Sequence, residues 1–117
     1  MQEEGMDAIW RQIEQNINAK PGPIQELNVI YQFELSGENG GVWQLSLTNG
    51  QAMVEKHPQK EPDCKLMMSI ESFKKLVSGK LNGATAFMTG KLKVQGSLGL
   101  ALKMENLLRQ YELGPIV

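Results

Sequence analysis

His57 and Cys64 are the only histidine and the only cysteine in the 117-residue chain. As a pair they are the natural base and thiol nucleophile to consider. Their surroundings argue against that use. His57 stands in the proline-bounded stretch HPQKEP, while Cys64 opens CKLMMSI at an inward strand position, where a thiol is buried and inert. One cysteine and one histidine also cannot supply the usual four nitrogen and sulfur ligands of a zinc site, so no metal site is expected. The glycines offer no phosphate cradle. Gly83 and Gly90 enclose six residues, and the Lys91 that follows is succeeded by Leu92. A phosphate-binding loop encloses four residues and continues Lys-Ser or Lys-Thr. Gly96-Ser97-Leu98-Gly99 matches the GxxG of some nucleic-acid-binding modules, but its place between a strand and a capped helix makes both glycines turn residues. No paired carboxylates lie in the apolar segments to do glycosidase-type acid–base work. The residues therefore point away from an enzyme, with no catalytic group and no cofactor expected.

Charge is more informative. Lys74, Lys75, Lys80, Lys91, Lys93 and Lys103 fall in the stretch 72–104, which contains no Asp or Glu, although the whole chain has a net charge of −1. Such a surface attracts carboxylates, phosphates or an acidic bilayer. A nucleic-acid partner is not expected, because the basic stretch has little arginine and few aromatics to stack on bases. No apolar run approaches the ~18 residues of a membrane span. The opening MQEEGMDAIW lacks the basic-then-apolar pattern of a secretory signal, and the lone cysteine fits a reducing compartment, so a cytoplasmic location is the expectation.

These side chains need a scaffold. Met6, Ile9, Trp10, Ile13 and Ile17 recur at spacings of three and four, one stripe of an amphipathic helix over 6–18 that AKPGP ends. LNVIYQFEL alternates Leu27, Val29, Tyr31, Phe33 and Leu35 against mostly polar neighbours, and GVWQLSLT alternates Trp43, Leu45 and Leu47 against Gln44, Ser46 and Thr48. Asn49-Gly50 predicts a two-residue hairpin opposing Leu47 to Ala52 and Leu45 to Val54. Parity in the preceding hairpin predicts a loop Glu38-Asn39-Gly40, with Leu35 opposite Trp43 and Phe33 opposite Leu45. The meander has one wet and one buried face. CKLMMSI is a fourth strand, Ser69 caps a helix ending at Gly79, a short helical turn stops at Gly90, KLKVQ is a fifth strand, and Ser97 caps the last helix. The predicted fold class is α+β: a five-stranded, mostly antiparallel sheet with the helices packed on one face.

The last helix is unusually apolar. Leu98, Leu100, Ala101, Leu102, Met104, Leu107 and Leu108 cover far more than a ~100° stripe, leaving Lys103, Glu105, Asn106, Arg109 and Gln110 outward. Five of the seven methionines, Met53, Met67, Met68, Met88 and Met104, lie in or beside core elements, and thioethers make an adaptable wall. Such a helix is covered on two sides or walls a cavity.

The segment SIESFKKLVSGKLNGATAFMTGKLKVQGSLGLALKMENLL resembles the signature half of the sterol-carrier-protein-2 lipid-binding domain family. The resemblance rests on Ser69 and Phe73 opening a helix, Gly79-Lys80, Ala86-Phe87-Met88, the run Gly90-Lys91-Leu92-Lys93-Val94, and Gly96 before the helix with Leu100, Lys103 and Leu107. The upstream FELSGENGGVWQLSLTNG, with Trp43, is similar to the family's first two strands. The chain thus reads as a single such domain, with a core over about 6–111. The resemblance implies a non-catalytic protein that binds and transfers long-chain lipids (fatty acid, fatty acyl-CoA, sterol or phospholipid) in a hydrophobic tunnel between sheet and helices. Phe33, Trp43, Leu45, Phe87, Met88, Leu98, Leu102, Met104 and Leu107 are the expected lipid-facing positions, and Lys91, Lys93 and Lys103 the expected anion-attracting groups at the tunnel mouth. Expected partners are the lipid itself, transient contact with an anionic membrane surface, and an enzyme of lipid metabolism. The competing reading is an accessory domain whose apolar last helix packs on a partner protein, marked by a filled core and an exposed apolar patch.

Overall fold

Val29, Tyr31, Phe33 and Leu35 all point into the core from β1 (Asn28–Ser36), and their even-numbered neighbours do not. The computed structural model describes residues 4–57 and 60–111. It pairs β1 with antiparallel β2 (Gly41–Thr48) on one side and with parallel β4 (Cys64–Ser69) on the other. β3 (Gln51–Lys56) flanks β2 and β5 (Lys93–Gly96) flanks β4, both antiparallel, so the five-stranded sheet has the order β3-β2-β1-β4-β5. Because side chains alternate with period two, each strand keeps its apolar set on one face. Lys56, Trp43, Phe33, Leu66 and Val94 thus form one row across all the strands.

The helices bury their stripes against that face. α1 (Glu4–Ala19) contributes Ile9, Trp10, Ile13 and Ile17; α2 (Ile70–Val77) contributes Phe73, Leu76 and Val77. α3 (Gly83–Met88) adds Ala86, and α4 (Leu98–Gln110) adds Ala101, Met104, Leu107 and Leu108. Trp10 stands at the aromatic centre, 4.9 Å from the Phe33 ring, 5.0 Å from Phe73 and 6.1 Å from Trp43. Such edge and offset pairs add about 0.5–1.5 kcal/mol each beyond simple burial. α1 also blunts the β3 edge. Asn18 both donates to the Ala52 carbonyl (3.0 Å) and accepts from its N–H (2.8 Å), and Glu14 accepts from the Val54 N–H (2.9 Å). These groups would otherwise be free to pair with another chain.

Sheet class, strand and helix order, the β2–β3 register and the caps at Ser69 and Ser97 agree with the pattern reading. Three details differ. The β1–β2 register is displaced by two residues, opposing Phe33 to Trp43 and Tyr31 to Leu45. Its connection is Gly37 to Gly40, with Gly37 and Asn39 at positive φ and the Gly40 N–H bonded to the Gly37 carbonyl. A shift of two preserves every inward face, so parity cannot detect it. β5 is shorter than predicted, starting at Lys93, although Leu92 is still buried. The supposedly wet face is only partly wet: Gln44 and Ser46 of β2 are buried. β3 and β4 run the same way, and the described residues before β4 lie over the outer face of the sheet. The Lys60 carbonyl accepts from the Gln44 amide (2.7 Å), and Asp63 exchanges two 2.8 Å bonds with the Ile30 backbone.

Candidate functional site

Between α2, α3 and α4 and the β1–β4 half of the sheet the apolar layers leave a pocket. Phe33 and Leu66 form its floor, Leu76 and Leu92 its sides, and Ala101 and Met104 part of its roof. The space left free is about 10 Å³, at the lower limit for a single water. Its outer rim is nevertheless apolar and in contact with solvent: Phe87 is 42% exposed, Leu98 42% and Leu102 41%. The solvent side of the pocket is therefore formed by α3 and the first turns of α4.

Of the expected lipid-facing residues, Phe33, Phe87, Leu98, Leu102 and Met104 line this one pocket. Trp43, Leu45 and Leu107 are not in its lining; all three are buried in the core, Trp43 beside Trp10. Met88 is also outside it, with 83% of its surface exposed on α3. Lys91 and Lys93 line an open groove on the opposite face of the sheet rather than the pocket, and Lys103 is exposed on α4. The pocket includes residues the pattern did not single out as lipid-facing. Leu66, Leu76 and Leu92 carried an inward signal, but Glu105 carried none, having the look of an outward helix residue.

Residues 10–109 match the model of the SCP-2 sterol transfer family. The chain belongs to that family. It is 43% identical over 88 residues to hydroxysteroid dehydrogenase-like protein 2 of Bos taurus, a match covering 74% of this chain and 21% of the relative. Against the Xenopus laevis protein of that name it is 40% identical over 102 residues, 86% of this chain and 24% of the relative. The chain therefore spans about a quarter or less of the length of these relatives. Among solved structures, the sterol carrier protein domain 2 of Helicoverpa armigera superposes with a TM-score of 0.76 at 31% identity, covering 96% of this chain and 93% of that one. Sterol carrier protein 2 from Yarrowia lipolytica gives 0.75 at 29% identity, covering 96% of each chain.

In this SCP-2 family chain the roof of the pocket is tied down by polar bonds. The buried Tyr31 phenol donates to the Leu100 carbonyl at 2.7 Å, fastening α4 to the central strand. Burial, with smaller contributions from Cys64 and Asp63, pushes that phenol well above the usual tyrosine range. Largely buried Glu105 accepts from the Gly83 N–H (2.8 Å) at the start of α3 and from Arg109 (2.9 Å). A carboxylate there complements the positive end of the helix. A Cβ on residue 83 would stand 2.5 Å from a Glu105 oxygen, so glycine is what lets that carboxylate sit against the residue-83 N–H. Asn82, a cap with no part in the pattern reading, accepts from the Ala84 and Thr85 N–H groups.

Cys64 has the environment of a structural thiol. It is buried, donates weakly to the Ser97 carbonyl at 3.6 Å, and burial first, then Asp63, raises its pKa. Both effects disfavour the thiolate that nucleophilic chemistry requires. Among the described residues no group of three or more His, Cys, Asp or Glu is placed to hold a metal ion, and no helix is long and apolar enough to cross a membrane.

Proposed function

We propose that this chain binds a long-chain lipid in the pocket between α2, α3, α4 and the sheet and carries it without altering it chemically. The observation that supports this is an apolar pocket whose rim, Phe87, Leu98 and Leu102, is open to solvent. Membership of the SCP-2 sterol transfer family supports lipid binding and transfer in general. With about 10 Å³ free, a ligand enters by displacing α3 and the start of α4. α3 is short and lies between Gly79 and Gly90, both at positive φ, so its connections tolerate such a movement. Burying ~15 methylenes at ~0.8 kcal/mol each provides on the order of 12 kcal/mol. Association costs of several kcal/mol leave roughly micromolar affinity, which suits a carrier that must also release. The exposed rim and the acid-free stretch 72–104 suit exchange at an anionic membrane surface, and the lone cysteine suits a reducing compartment such as the cytoplasm.

Native mass spectrometry of the purified protein, followed by organic extraction, tests the proposal. A bound mass of a few hundred daltons identified as lipid supports it. A bare monomer that also refuses fluorescent fatty acid defeats it.

A second reading has its own support. The small free volume, the exposed Phe87, Met88, Leu98 and Leu102, and the small share of the curated relatives that the chain spans all suit a module whose α3–α4 face packs on an enzyme.

A further inference from the structure

We propose that the open groove on the face of the sheet away from the lipid pocket is a second ligand site, taking a small organic phosphate monoester with an apolar body. The groove, largely open to solvent, has a volume of about 650 Å³, within the ~300–1,000 Å³ of small-molecule clefts. Its floor is one cross-strand row, Val42, Glu34, Met67 and Lys93, on β2, β1, β4 and β5 in turn. The next row, where Gln44 faces Gln32, is roofed by the connection that carries Lys60. The outer face is thus half closed by its own chain and half open.

The lining sorts by chemistry. Lys91 and Lys93 form one wall, and among the described residues neither is within ion-pair distance of a carboxylate. Ser36 and Ser69 add hydroxyls; the Ser69 oxygen accepts from the Ser72 N–H, leaving its proton to donate. Val42 and Met67 offer apolar surface to the body of a ligand. Glu34 is the single carboxylate in the lining, and it accepts from the Gln32 amide at 2.9 Å. β4 separates its strand from β5, a distance of roughly 10 Å, so it biases an anion toward the lysine wall. Two ammonium groups match a monoester carrying nearly two negative charges better than a singly charged carboxylate.

One segment divides this groove from the lipid pocket. Leu92 lines the pocket while Lys91 and Lys93 line the groove, so the two sites hold separate ligands on opposite sides of it.

Amide-resolved NMR titration of the whole chain with phenyl phosphate, at constant ionic strength, tests this. Saturable shifts are expected at 34–36, 67–69 and 90–93. Inorganic phosphate should bind more weakly, and benzyl alcohol should leave these residues unmoved. K91Q/K93Q should weaken phenyl phosphate by roughly tenfold, each exposed ion pair contributing up to about a factor of five, and E34Q should tighten it. Protein loaded with palmitate should give the same groove shifts; should palmitate fail to bind, the titration of the free chain still reads the groove alone. Shifts that never saturate, shifts equal in wild type and K91Q/K93Q, or shifts confined to Phe87, Leu98 and Leu102 would overturn the proposal.

Discussion

The Tyr31 hydroxyl meets the Leu100 carbonyl at 2.7 Å, so the central strand and the first turn of α4 are held together by one partly buried bond. That bond joins positions 69 residues apart in sequence. It anchors the very helix that must give way for a ligand to enter.

Tyr31→Phe keeps the ring and removes the hydroxyl that donates to the Leu100 carbonyl. A loss of about 1–2 kcal/mol is expected in urea denaturation. The phenol also sets a pH dependence. Its folded pKa is raised by burial, so the unfolded chain gives up this proton first as pH rises. The stabilisation is complete below the ordinary tyrosine value of about 10 and is lost progressively above it. Wild type should weaken above pH ~10 more steeply than the Phe variant, and parallel curves would contradict this assignment.

Leu102 and Met88 separate binding from delivery. Leu102→Asp puts a carboxylate at the pocket rim, where it is already in contact with water, so the fold should survive. Fluorescent fatty acid should bind at least tenfold more weakly, since an unpaired charge beside apolar walls costs upward of ~1.4 kcal/mol. Met88→Asp lies outside the lining and should leave that affinity within about twofold. It should instead slow lipid exchange with anionic vesicles, measured by fluorescence dequenching.

Gly83 and Glu105 should show strong coupling. Gly83→Ala pushes the Glu105 carboxylate off its bond to the residue-83 N–H and should cost about 1–2 kcal/mol. In a Glu105→Ala background the obstacle is gone, and the same change should be nearly neutral or favourable for an alanine in a helix. A double-mutant cycle by thermal unfolding reads this directly.

Cys64 should resist iodoacetamide at neutral pH in the native protein and react once urea unfolds it, because the folded site raises the thiol pKa and buries the sulfur. Rapid labelling of the native chain would reopen the case for thiol chemistry.

Period-two alternation, the Asn49-Gly50 turn and the serine caps are local signals, and they were sufficient to set the α+β class, the inward faces and the β2–β3 register. The motif run from Ser69 to Leu108 was sufficient for the family. Tertiary structure decided the rest. Phe33 and Trp43 are register partners on one face with the same inward signal, yet only Phe33 reaches the pocket. α1 covers the β2–β3 side and brings Trp10 onto Trp43, whereas Phe33 and Leu66 lie under the gap between α2, α3 and α4. Likewise Glu105 turned inward because the amino end of α3 arrives beside it, and Gln44 was buried because the described residues before β4 lie over it. Local pattern records which face of an element is apolar; which neighbour covers that face, and where the neighbours fail to meet, depends on contacts between residues far apart in the chain.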